Sequence, residues 1–142
     1  MIKNWLITGD THGKTALRLA GIEESMSEYK PEETAVIILG DVGFNYYKNK
    51  KDWKAKHQAS AYGYTLYCLR GNHEDRASNL KNVIYVNDEF VNGMVCYEEE
   101  FPKIRYFMDC VAEYEIMGKS ILCISGAYSV DKWYRLQNDW MW

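Results

Sequence analysis

The chain has little histidine: His12, His57 and His73, and none after residue 73. It has two prolines and four cysteines, Cys68, Cys96, Cys110 and Cys123, with no Cys-x-x-Cys pair among them. Without paired spacing there is no structural zinc signature. Three of the thiols fall in apolar stretches, as free buried cysteines of a reducing compartment do. Basic excess is also lacking. Lys and Arg number 17 against 20 Asp and Glu, a net charge of -3, which argues against general nucleic-acid binding. No run reaches the roughly 18 apolar residues of a membrane span. Met1–Asn4 leads into too short an apolar stretch for a signal peptide. The expectation is a cytoplasmic protein. Repeats, low-complexity runs and linkers are absent, so residues 1–142 read as a single domain.

What is present is an ordinary globular composition, 47% hydrophobic and 26% charged, with 15% aromatics. Trp5–Thr8 reads as a buried strand. Lys14–Met26 reads as a helix, with Ala16, Leu19, Ala20, Ile22 and Met26 at helical spacing and Pro31 beyond its end. Ala35–Leu39 is a continuous apolar run, the mark of a strand buried on both faces. Lys48–Ala61 reads as a second helix with Trp53, His57 and Ala61 on its stripe, and Thr65–Leu69 as a third strand. This alternation predicts an α/β fold with a parallel sheet. The second half looks more antiparallel. Val83–Val86, Met94–Tyr97, Val111–Ile116 and Ser120–Ile124 read as strands, with Met117-Gly118-Lys119 as a hairpin turn.

Three apolar strands each end in a polar cluster: Gly9-Asp10-Thr11-His12-Gly13, Gly40-Asp41-Val42-Gly43 and Gly71-Asn72-His73-Glu74. In open α/β sheets ligands bind outside the carboxyl ends of the strands, so the clusters should share one rim. Their chemistry suits a two-metal centre. Asp10 and His12 offer oxygen and nitrogen ligands. Asp41 has two oxygens and can bridge two cations. Asn72 offers a neutral carbonyl oxygen. Two cations about 3.5–4 Å apart can hold a hydroxide and clamp a phosphoryl group. His73 is placed to give a proton to the leaving oxygen. A competing reading takes Gly13-Lys14-Thr15 as the end of a nucleotide-binding P-loop. That motif needs four residues before its second glycine, counting from the first; here Thr8 falls where that first glycine belongs. It also leaves Gly71–Glu74 unexplained.

These residues resemble the calcineurin-like metallophosphoesterase family, whose three motifs they match in order and spacing. Leu69–Glu74 is similar to the same segment of serine/threonine protein phosphatases. Gly126–Lys132, followed by Arg135, is similar to a stretch in bacterial and phage members. The resemblance covers nearly the whole chain. It implies a metallophosphoesterase-like sandwich of sheets flanked by helices and a phosphoester substrate. It implies Asp10 and His12 on a first metal, Asp41 bridging, Asn72 on a second, and His73 as general acid. The metals implied are two divalent ions, manganese, iron or zinc.

The chain departs from the family in two ways. Protein phosphatases carry an Asp and an Arg where this chain has Phe44 and Asn45, which speaks against protein-phosphatase activity. The family also completes its site with three later histidines, and none follows His73 here. The expectation is an N-terminal portion of the family domain, incomplete at its C-terminus. Alone it would hold one metal or none. Three functions are therefore carried forward: a dinuclear-metal phosphoesterase, a catalytically incomplete metal- or partner-binding fragment, and, behind both, a P-loop-like nucleotide binder. The aromatic end, Trp140 and Trp142, suggests a covered surface and self-association.

Arg70, Lys132 and Arg135 are candidates for binding substrate phosphate, or for ion pairs with Asp131 or Glu74. Lys48, Lys50, Lys51, Lys54 and Lys56 read as a solvated face. His57 reads as packed on Trp53, Glu74 as bracing its loop, and Trp133, Trp140 and Trp142 as core.

Overall fold

The computed structural model describes residues 1–109, 111–126 and 130–138. Its main sheet has six strands in the order β1 (Asn4–Gly9), β2 (Thr34–Leu39), β3 (Thr65–Leu69), β6 (Ile104–Phe107), β5 (Gly93–Glu98) and β4 (Val83–Asp88). The first four run parallel and the last three pair antiparallel. Ile7, Ile37, Tyr67 and Arg105 sit in register across the parallel half. A separate hairpin of β7 (Val111–Ile116) and β8 (Lys119–Ile124) lies against one face. Its turn holds Met117 and Gly118 at φ +56° and +70°, the left-handed pair that a two-residue hairpin turn requires.

Alternation along the strands builds two cores. Val36, Ile38, Leu66, Cys68 and Ile104 pack with Leu19 of α1 (Thr15–Ser25) and Ala59 of α2 (Lys50–Ser60). Ala35, Ile37, Tyr67, Val95 and Phe107 face the opposite way and meet Tyr114, Ile116 and Cys123 of the hairpin. The layers are therefore helices, mixed sheet and hairpin. This is the α/β sandwich expected. Five of the six β2 residues are buried, as its apolar run requires.

The elements differ from expectation in instructive places. Strand β6 is the link between the parallel and antiparallel halves, and its short run is broken by Arg105. That guanidinium is paired with the carboxylate of Asp88, which gives the charge in the sheet a counter-ion. Helix α2 starts late because Lys48 has φ +52°, and Asn49 caps the helix by accepting the Lys51 amide at 2.8 Å.

The buried stripe of α2 is Asp52, Lys56 and Ala59, not Trp53, His57 and Ala61. Asp52 is sequestered because it accepts the amides of Tyr47 and Lys48 at 3.1 and 2.8 Å. Lys56 leaves the solvated face because its Nζ lies 2.5 Å from Glu98 Oε2. His57 does stack on Trp53, with ring centroids 5.0 Å apart, but on the outer surface.

A short helix, α3 (Lys132–Gln137), closes the described chain, and its Trp133 is 69% exposed rather than core. Trp140, Trp142 and Cys110 lie outside the described residues. Cys68, Cys96 and Cys123 are buried free thiols, and burial raises the Cys96 pKa to about 11. No helix among the described residues is long and apolar enough to cross a membrane.

Candidate metal centre

The loops after β1, β2 and β3 meet at one rim. The first two are laced by backbone bonds: Asp10 N donates to Gly40 O, His12 N to Asp41 O and Gly13 N to Val42 O, at 3.1, 2.8 and 2.8 Å. Asp10, His12 and Asp41 are all held at positive φ, +55°, +43° and +48°. Such strain in non-glycine residues gathers where a side chain must be aimed. Two glycines allow the loops to close. A Cβ on Gly43 would lie 2.2 Å from Gly13 N, and one on Gly71 would lie 2.0 Å from Asp41 Oδ1. Thr15, the last residue of the P-loop-like stretch, is buried with its hydroxyl 2.9 Å from that of Thr11, at the start of α1.

Ligand atoms of His12, Asp41 and His73 lie within 4.8 Å of one another. His12 Nε2 is 2.7 Å from Asp10 Oδ1 and 4.0 Å from Asp41 Oδ2. His73 Nδ1 is 3.1 Å from Asp41 Oδ2, and the His73 amide donates to Asp41 Oδ1 at 3.0 Å. Asp10 is the most open of the group, its side chain 76% exposed. Two imidazoles beside a carboxylate suit manganese, iron or zinc, so the donor set fits the divalent ions the sequence implies. A cavity of about 240 Å³ opens over His12, Asp41 and His73, walled on one side by Tyr46 and Tyr47. The Tyr46 ring stands edge-on to His73 with centroids 6.4 Å apart, and burial pushes its phenol above its ordinary range.

Glu74 braces the loops from below, as expected. It is buried and accepts the amides of Gly43 and Gly71 at 2.7 and 3.3 Å. Asn72 turns its backbone carbonyl to Arg135, whose two terminal nitrogens both donate to it at 3.1 Å. Arg135 is fully buried and its Nε lies 3.1 Å from Asp131 Oδ1. It therefore sits behind the site, not on its surface. Arg70 pairs through Nε with Asp109 and not with Glu74; Arg76 Nε reaches the same carboxylate at 3.1 Å. Lys132 opens α3, and its side chain lies outside the described residues.

Of two further residues at the site, Tyr46 carries no sequence signal that singles it out, and Asp131 reads in the sequence only as an ion-pair partner. Tyr46 follows the second motif as one of twelve tyrosines. Asp131, four residues before Arg135, comes within 3.8 Å of His73 Nε2. Its signal is the spacing of Asp131 and Arg135, which places both on one side of a helix turn.

A family model described as calcineurin-like phosphoesterase matches residues 4–142. No curated protein and no solved structure matches the chain.

Proposed function

The chain belongs to the calcineurin-like phosphoesterase family, and from that premise we propose that it hydrolyses phosphate esters with divalent metal ions held where β1, β2 and β3 end. The supporting observation is the convergence of His12, Asp41 and His73 within 4.8 Å on one rim. In this reading Asp10, His12 and Asp41 would hold one cation, and Asp41 and Asn72 a second. When bound, the cations polarise the phosphoryl group and lower the pKa of the attacking water. The chain's own part is to place and to protonate. Asp41 would help to hold both cations, and its Oδ1 accepts the His73 amide at 3.0 Å, which fixes the loop of His73. His73 donates a proton from its ring to the leaving oxygen. Tyr46 and Tyr47 wall the cavity on one side.

A second reading is favoured by one distance. His73 Nδ1 is 3.1 Å from Asp41 Oδ2, on the side where the metal donors gather. If His73 is itself a ligand, the site binds a cation without its acid and serves as a binding module.

One experiment separates the two. Manganese affinity and hydrolysis of 4-nitrophenyl phosphate are measured for the chain, for Asp41→Ala and for His73→Gln. The enzyme reading expects Asp41→Ala to lose both, and His73→Gln to keep its metal while turnover drops about 10²–10⁴-fold. Loss of metal affinity in His73→Gln would establish the ligand reading. Absence of metal-dependent turnover in the unmodified chain would end the enzyme reading.

A further inference from the structure

We propose that Asp131 is a positioning residue for His73, held in place by the buried guanidinium of Arg135. The inference rests on the reading of His73 as the proton donor.

The starting point is Arg135. It is fully buried, and a guanidinium is retained in an interior only where counter-charge and acceptors surround it. Two of its partners are Asp131 Oδ1, 3.1 Å from Nε, and the Asn72 carbonyl, 3.1 Å from both terminal nitrogens. The fork therefore ties α3 to the backbone of the third motif. With Oδ1 of Asp131 engaged, Oδ2 is the oxygen that faces His73 Nε2, at 3.8 Å. The other ring nitrogen, Nδ1, faces Asp41 Oδ2 at 3.1 Å. The imidazole thus stands between two carboxylates, one on each nitrogen. A single contact would fix one atom and leave the ring free to tilt; two opposed contacts set its plane. The 3.8 Å separation also matters. It lies within ion-pair reach but beyond a hydrogen bond, so Asp131 can orient the ring without capturing the Nε2 proton. Asn72 and His73 are consecutive, and the same arginine–aspartate pair holds the first by its backbone and the second by its side chain.

Arg135 and Asp131 thereby act together. The arginine fixes the aspartate, and the aspartate fixes the histidine. This role differs from contact with substrate phosphate, for which a fully buried arginine has no open face.

The test uses Asp131→Asn, which keeps the shape and removes the charge, and Asp131→Glu, which restores the charge. The chain has three histidines, so imidazole nitrogen NMR resolves each, with surface His57 as internal control. Asp131→Asn is expected to shift and broaden the His73 ring signals and leave His57 unchanged. With manganese added, kcat is expected to fall at constant KM, about tenfold on 4-nitrophenyl phosphate and about a hundredfold on an alkyl phosphate, because a poor leaving group depends more on its proton donor. Asp131→Glu should recover most of that loss. Unchanged His73 signals in Asp131→Asn would overturn the proposal. So would an equal loss on both substrates that tracks a lower Tm, which marks a merely structural residue. Shifted His73 signals in a chain without turnover would uphold the Asp131–His73 contact and reject the hydrolytic reading on which its role rests.

Discussion

Glu74 Oε1 accepts the amide of Gly43 at 2.7 Å, fastening the loop after β3 to the loop after β2. Its other oxygen takes the Gly71 amide at 3.3 Å. One buried carboxylate thus organises the backbone under both Asp41 and Asn72. Burial dominates its titration and raises the pKa from 4.5 to about 7; the backbone amides of Gly43, Gly71 and Val42 oppose the rise, and Asp41 adds to it.

The sign of the pH dependence follows. In the metal-free chain the folded state holds the Glu74 proton more tightly than the unfolded state. The stabilisation linked to that proton is complete below about 4.5 and is lost as pH rises through about 7. Denaturant unfolding at about pH 5 and about pH 8 should show this loss, and Glu74→Gln should flatten it. An identical pH slope in the two proteins would refute the linkage.

Glycine at position 71 is a requirement of distance, while glycine at position 21 is not. A Cβ on Gly71 would meet Asp41 Oδ1 at 2.0 Å and Asp41 N at 2.3 Å. Gly71→Ala should cost at least about 3 kcal/mol, because backbone must move. Gly21 lies inside α1 with nothing within 4 Å of its would-be Cβ. Gly21→Ala should stabilise by about 0.5–1 kcal/mol through helix propensity. Thermal unfolding of both variants reads the contrast. A tolerated alanine at position 71 would mean that the two loops are not packed as described.

Asp10 and Asp41 differ in how far water reaches them. The Asp10 side chain is 76% exposed and approaches the group through His12, whereas that of Asp41 is 15% exposed and contacts both histidines. A ligand in water gains less on binding a cation than one already stripped of it. Asp10→Ala should therefore weaken manganese binding less than Asp41→Ala, by at least about tenfold in Kd. Calorimetric titration of the two variants decides this, and equal losses would make Asp10 a full partner of Asp41.

The legible parts of the fold were those where one pattern served one cause. The run Ala35–Leu39 reads as a buried strand because it is covered on both faces, and it is so from Ala35 to Ile38; Leu39, at the rim, is exposed. The three glycine-flanked clusters announce their place because turns and donors coincide there. Legibility fails where charge is buried with a partner distant in sequence. Arg105 disguises β6 since its counter-ion, Asp88, belongs to another strand. Arg135 is legible in the sequence as an ion-pair partner of Asp131, four residues before it, but not as a buried clamp on the Asn72 carbonyl, which lies 63 positions away. Trp133 reads as core by residue type, but α3 turns it to the outside.

Lys56 is the sharpest such case, and it yields a stability prediction. Lysines four and five positions apart on α2 look like one solvated face, yet the Lys56 side chain is 5% exposed and its Nζ lies 2.5 Å from Glu98 Oε2. Phe101 is also near, its ring centroid 6.0 Å from the ammonium. Breaking such a pair from one side strands a charge in the interior. Lys56→Met alone, or Glu98→Gln alone, should cost about 3–5 kcal/mol. The double variant should cost less than the sum of the two, because it leaves no charge behind: methionine fills the lysine's channel beside Phe101, and glutamine keeps an acceptor for Tyr106, whose hydroxyl lies 3.5 Å from the Glu98 carboxylate. Denaturant unfolding of the four proteins closes the cycle. Strict additivity would show that the two groups do not compensate each other, and that Lys56 is buried for its methylenes alone.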